Sequence, residues 1–356
     1  MKMKLRAFLP MVVLGPLALA SDWAGDKPSY QPKQGTTLTK RISVDNEVEL
    51  DDMSLEVDGR DVSEMAGQVE ISLKVTMDLA VTDHYEAMEG GRPTKLKRSF
   101  DEISSNTHVS GSNPMAGSEE KDIPLKSELE GTTVVFSWDA NDSTYHTAFD
   151  GQEGDSDLLE ELEENLDLRG FLPTSEVAVG DSWEIPAEAV KAALAPGGDI
   201  KLRPEGGGAD PMGGMNQLSQ NDMIGELDGE FTAVYGGTRE EDDGTRVAAI
   251  TLKIEAKSAR DMTKHLDEIK EEMKGNLPEG LEMDISALDS EYEFEAEGEL
   301  LWDLEAGLVH ALHLSGEVRM IVDMSMSMKM GDNEQSMEIS QTYVGNQTLT
   351  LTTGDD

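Results

Sequence analysis

The chain contains no cysteine among its 356 residues. It can be neither a disulfide scaffold nor a lipoprotein anchored through a modified thiol, so its stability has to come from an apolar core. Basic residues are scarce as well: 29 Lys and Arg face 73 Asp and Glu, a formal net charge of −44 at pH 7. A field of that sign repels nucleic acid and anionic lipid headgroups, and neither is an expected partner. Aromatic residues amount to 5%, with four Trp, which leaves little from which to build a sugar-stacking platform. No apolar run reaches the roughly 20 residues of a membrane-spanning helix.

Catalytic signatures are missing too. Neither His-Glu-x-x-His nor Gly-x-Ser-x-Gly occurs; the nearest approach, Gly180-Asp181-Ser182-Trp183-Glu184, lacks the second glycine, and its tryptophan reads as a core residue. Of the six histidines only His310 and His313 lie close together, and on a strand they point to opposite faces, so they cannot jointly grip zinc. The acidic run from Asp150 places Gln152, Gly154 and Asp155 where a calcium loop needs an acid, an oxygen donor and a turn glycine. Among so many carboxylates no spacing singles out a hydrolytic pair. The reading is therefore of a protein that is not an enzyme, with no catalytic residues, no cofactor and no metal.

What is present begins at the N-terminus. Lys2, Lys4 and Arg6 precede the apolar run Ala7 to Leu19, and Ala18 and Ala20 occupy the small-residue positions of a cleavage site. Residues 1–20 read as a signal peptide, which predicts an exported, periplasmic or extracellular product. About 45% of the chain is apolar when glycine is counted, the proportion of an ordinary globular protein, so the high charge reads as a solvated surface.

The most informative stretch is Val318 to Met330, in which Val318, Met320, Val322, Met324, Met326, Met328 and Met330 fall on every second residue. A two-residue period means a β-strand with one apolar face. Val69, Ile71, Leu73, Val75 and Met77, continuing through Leu79 and Val81, repeat the pattern. Leu38, Lys40, Ile42, Val44, Asn46, Val48 and Leu50 give an imperfect version of it, and Leu96, Arg98 and Phe100 start a strand after a Gly90-Gly91 turn. Soft thioethers suit copper(I), but Val318 and Val322 continue the methionine face. The row reads as adaptable core filling, with a ligand-facing cavity wall as the alternative.

Between these strands, Leu158, Leu159, Leu162 and Leu166 have helical spacing from Asp155 onward, Pro186 opens a short helix over Ala187 to Leu194, and Met262, Leu266, Ile269 and Met273 predict a third. The organisation expected is a flexible polar lead at 21–34 followed by a single β-rich unit at 35–356. That unit carries a helical middle at 155–195 and a Gly-rich loop at 204–222. The fold class is α+β and β-dominated: a long, strongly curved antiparallel sheet, half-barrel or barrel, with about three short helices.

The Gly180-Asp181-Ser182-Trp183 run after a short Leu-rich helix, with the signal peptide, long strands and a strand-rich end, resembles uncharacterised secreted bacterial proteins built as extended β-sheets. By architecture the chain is also similar to periplasmic lipid and lipoprotein carriers. The resemblance supplies no activity and no site residues. The expected function is binding without catalysis, with a lipid, acyl chain or other apolar small molecule held against the two alternating faces. The alternative is an acidic envelope or extracellular structural or interaction protein with a self-packed core, bridged by cations; its protein partner is unknown.

Overall fold

The computed structural model describes residues 26–66, 69–113, 117–151, 154–205, 224–263, 266, 281–330 and 333–354. The N-terminal half contributes β1 (Thr37–Val57), β2 (Arg60–Asp61), β3 (Glu70–Glu89), β4 (Arg92–Asn113), β5 (Gly117–Lys126), β6 (Thr133–Asp139) and β7 (Thr144–Phe149). The C-terminal half contributes β8 (Ser182–Glu184), β9 (Arg203–Pro204), β10 (Asp228–Glu240), β11 (Arg246–Asp261), β12 (Leu281–Asp303), β13 (Leu308–Met330) and β14 (Asn333–Thr353). At about 3.4 Å per residue the 23-residue strands β12 and β13 extend some 75 Å.

All fourteen strands belong to one antiparallel sheet, whose main path runs β7-β6-β4-β3-β1-β14-β13-β12-β11-β10-β8. The first and last long strands pair at its centre, from Lys40 opposite Thr353 to Val57 opposite Met337. Each half then leads outward as a meander. Gly90 and Gly91 make the first expected hairpin, at φ +59° and +76°, values an L side chain rarely adopts. Where β14 crosses β1, a Cβ on Gly345 would lie against the backbone oxygen of Glu47, so only glycine lets the strands approach so closely.

The sheet is not a barrel. β7 and β8 remain edges, and the chain from 150 to 181 has to join them across one face. It does so largely without helix. The helix expected from Asp155 is a single 3₁₀ turn, Ser156–Leu159. Half of the fourteen residues from 155 to 168 are acidic, and a helix would stack Asp157 on Glu160 and Glu161, and Glu160 on Glu163 and Glu164. The segment instead turns through Glu161 and Leu168 at positive φ. The second expected helix forms, α2 (Ala187–Leu194), directly after Pro186; α1 (Ser63–Ala66) is one turn. Most of the third expected helix, and of the Gly-rich loop at 204–222, lies outside the described residues, as does the signal peptide.

Two cores result. The larger lines the sheet from Val134 and Phe136 to Phe231 and Tyr235 and includes Leu166 and Phe171 from the crossing segment and Val190 and Leu194 from α2. The smaller sits at the far end of the long strands: Met262, Leu266, Ile285, Leu288, Val322 and Met326. From Asp26 onward the polar lead is held in place. Its Asp26 bridges Val177, its Gln31 N–H donates to the Gly307 carbonyl, and Tyr30 is buried beside Trp302.

Candidate functional site

The two alternating faces do not meet in a single cavity. Val318, Leu73 and Met77 are buried in the main core, with Ile71 and Met320 packed against it half-buried. Val322 and Met326 are buried in the smaller core with Met324 beside them. Met328, Val69 and Val75 are half-buried, and the Met330 side chain lies outside the described residues. Cross-strand neighbours fill much of the methionine face: Met324 lies between Leu288 and Ile339, Met326 between Ile285 and Met337.

The chemistry concentrates where the alternation is broken. Lys40, Asp83 and Arg98 project from β1, β3 and β4 onto the apolar face and are completely buried. Arg98 donates from Nε and Nη2 to the two Asp83 oxygens at 2.7 and 2.9 Å, and Lys40 Nζ reaches the same carboxylate at 2.7 Å. The remaining guanidinium donors bind the crossing segment, Nη1 to the Glu163 carbonyl at 2.9 Å and Nη2 to the Glu164 carbonyl at 2.8 Å. Four strong donors are thus satisfied by one carboxylate and two backbone carbonyls that a helix would have used internally.

A second layer belongs to the crossing segment itself. Arg169 bonds both oxygens of Glu164 and one oxygen of Asp167, and its guanidinium stands 5.1 Å from the Tyr30 ring, which packs 6.4 Å from Trp302 of β12. Lys40, Arg98 and Arg169 balance Asp83, Glu164 and Asp167. Burial opposes the charge on Asp83, yet Arg98 and Lys40 hold its carboxyl down at about 2. Burial, followed by the neighbouring Asp167, raises Glu164 against the pull of Arg169. Burial also raises the hydroxyls of Tyr30 and Tyr85 well above the ordinary phenol range. The Tyr30 hydroxyl has no hydrogen-bond partner among the described residues.

The charges are mutually consumed. Each faces an opposite charge, a carbonyl or a ring, which is the arrangement of a fastening rather than of a reactive centre. From this clasp the segment continues to Phe171, whose carbonyl accepts from Trp183 Nε1 of β8 at 2.9 Å, while Leu159 receives Thr147 of β7. The same stretch therefore touches both edge strands.

The opposite face of the sheet is acidic. Glu291, Glu293, Glu295, Glu297 and Glu299 occupy alternate positions of β12. Register sets Glu230, Glu255, Glu295 and Glu317 side by side across β10, β11, β12 and β13. Neighbours in such a row stand about 5 Å apart, where like charges destabilise a sheet. Lys253 pairs with Glu255 at 2.6 Å and lies near Glu230, and Lys257, paired with Glu293 at 2.8 Å, lies near Glu295. A shallow depression of about 310 Å³ on this face is lined by Arg41, Asp78, Ala80, Glu102 and Thr352. Among the described residues one mixed group of metal-ligating side chains comes together, Asp139, Asp142 and His146 at the β6–β7 turn.

No family model and no curated protein matches the chain. Among solved structures, the outer membrane protein OprG from Pseudomonas aeruginosa aligns over 91% of this chain and 99% of its own, at 11% identity and a TM-score of 0.23. The transport unit of the autotransporter AIDA-I from Escherichia coli aligns over 91% of each chain at 9% identity and a TM-score of 0.20. Similarity at that level carries no argument about fold or function.

Proposed function

We propose that the chain is an exported, non-catalytic interaction protein whose sheet bends into a half-barrel around its own polypeptide and whose acidic outer face meets a cationic partner. The observation that carries this reading is the clasp at Arg98. It anchors the crossing segment over the face where a carrier would hold its cargo, and it leaves no charged group of the cluster available to a substrate. Contact of that one segment with both edge strands supports the bend. The glutamate row supports the partner's charge: it costs the free protein stability, and a cation laid across it would relieve that cost.

Binding of the purified mature protein to immobilised poly-L-lysine tests the reading. The expected result is saturable binding that weakens steeply with salt and falls about ten-fold or more when Glu255, Glu295 and Glu317 are all replaced by Gln. Equal binding by the triple variant would overturn the assignment of that face.

A second reading rests on the half-buried methionines Met320, Met324 and Met328, which alternate with the buried Val318, Val322 and Met326 along β13. An acyl chain lying along them would complete their burial, and thioethers adapt readily to such a guest.

A further inference from the structure

We infer that the β6–β7 turn is a binding site for a divalent transition-metal ion of borderline softness, zinc, copper(II) or nickel(II), ligated by Asp139, Asp142 and His146. One ligand atom from each of the three lies within 4.8 Å of the other two. Asp139 ends β6, Asp142 sits in the turn, and His146 returns on β7 two residues beyond Thr144, the cross-strand partner of Asp139. Side chains so related share one face of the hairpin.

The geometry is that of an opened coordination sphere. Nε2 of His146 stands 3.7 Å from Oδ2 of Asp139. That is too long for a hydrogen bond but near the roughly 3.3 Å edge of a tetrahedron drawn around zinc with bonds of 2.0–2.1 Å. The other Asp139 oxygen accepts from the Asn141 backbone N–H at 2.7 Å and from its side-chain amide at 2.9 Å, which fixes the carboxylate with Oδ2 turned toward the imidazole. Of the cations on neighbouring β4, Lys95 is engaged by Glu86, Lys97 by Glu86 and Asp150, and Arg92 lies 3.8 Å over the Trp138 ring. Asp142 and His146 are exposed, so both can close by the ångström or so that ligation requires, and water would complete the sphere. The imidazole nitrogen sets the ion class, since calcium and magnesium prefer sites made of oxygen alone.

The turn carries its own reporter, because Trp138 precedes Asp139 and meets Tyr145 edge to face, ring centroids 5.1 Å apart. Calorimetric titration of the mature protein with zinc should show one saturable site, and nickel(II) should quench a fluorescence component that disappears in Trp138→Phe. His146→Ala and Asp142→Asn, both exposed and compatible with folding, should each weaken zinc binding about ten-fold or more, with unchanged circular dichroism. Zinc binding that survives both substitutions unchanged would overturn the assignment. So would weak, unsaturable uptake by the acidic surface, or displacement of zinc by an equal concentration of calcium.

Discussion

The guanidinium of Arg98 on β4 and the carboxylate of Asp83 on β3 form a two-pronged ion pair, 2.7 and 2.9 Å long, with both side chains fully buried. Removing one partner of such a pair strands the other in the core at a cost of about 3–5 kcal/mol. Arg98→Met should therefore lower the urea-unfolding free energy by about that much. Combining it with Lys40→Met and Asp83→Leu should cost far less than the three single changes summed. Additive losses would mean that the three groups do not act as one unit.

The same cluster fixes a pH dependence. Asp83 is held below its ordinary value, at about 2, so its stabilising share is complete above pH 3.8 and is lost as pH falls toward 2. Glu164 is shifted upward, so its contribution has the opposite sign, complete at low pH and lost as pH rises through its raised value. Below pH 3.8, then, unfolding free energy should fall more steeply with acid in the native sequence than in Asp83→Asn. Equal slopes would contradict the pairing.

Tyr30 separates packing from hydrogen bonding. Its ring lies between Arg169 and Trp302, whereas its hydroxyl is buried without a partner among the described residues. Tyr30→Phe should be neutral or stabilising by up to about 1–3 kcal/mol, and Tyr30→Ala destabilising by about 3–5 kcal/mol in the same unfolding assay. Loss of stability in Tyr30→Phe would show that the hydroxyl is bonded.

Relief of the glutamate row should stabilise the sheet. Glu295→Lys places a cation between Glu255 and Glu317. At low ionic strength it should raise the unfolding free energy by about 0.2–1 kcal/mol, an effect that salt diminishes. A destabilised variant would contradict the register.

Period two was enough to read the long strands, and Gly90-Gly91 enough to read their first hairpin, because both signals are local. The helix at 155 could not be read correctly from its leucines. Their spacing is helical, but the carbonyls of Glu163 and Glu164 are taken by Arg98, 65 and 66 residues away. The clasp itself left a trace in the sequence. Lys40 and Arg98 are the charged residues that interrupt otherwise apolar alternations, and a charge on a core face calls for an opposite charge nearby. Asp83 completes the series after Val81 on β3. Closure of the sheet left no such trace, since whether two edges meet depends on what lies between them. The Asp139, Asp142 and His146 group leaves no local signature, because the neighbours of His146 are aspartates across a turn rather than a second histidine.

Native mass spectrometry of the mature protein, purified without detergent from cells that export it, tests most directly whether the sheet holds its own chain rather than a cargo. With the crossing segment fastened at Arg98, the protein should fly at the mass of its polypeptide plus metal ions, and solvent extraction should yield no stoichiometric lipid. One acyl-chain lipid per protein, released when Met324 and Met328 are replaced by Asp, would contradict the account and establish a carrier.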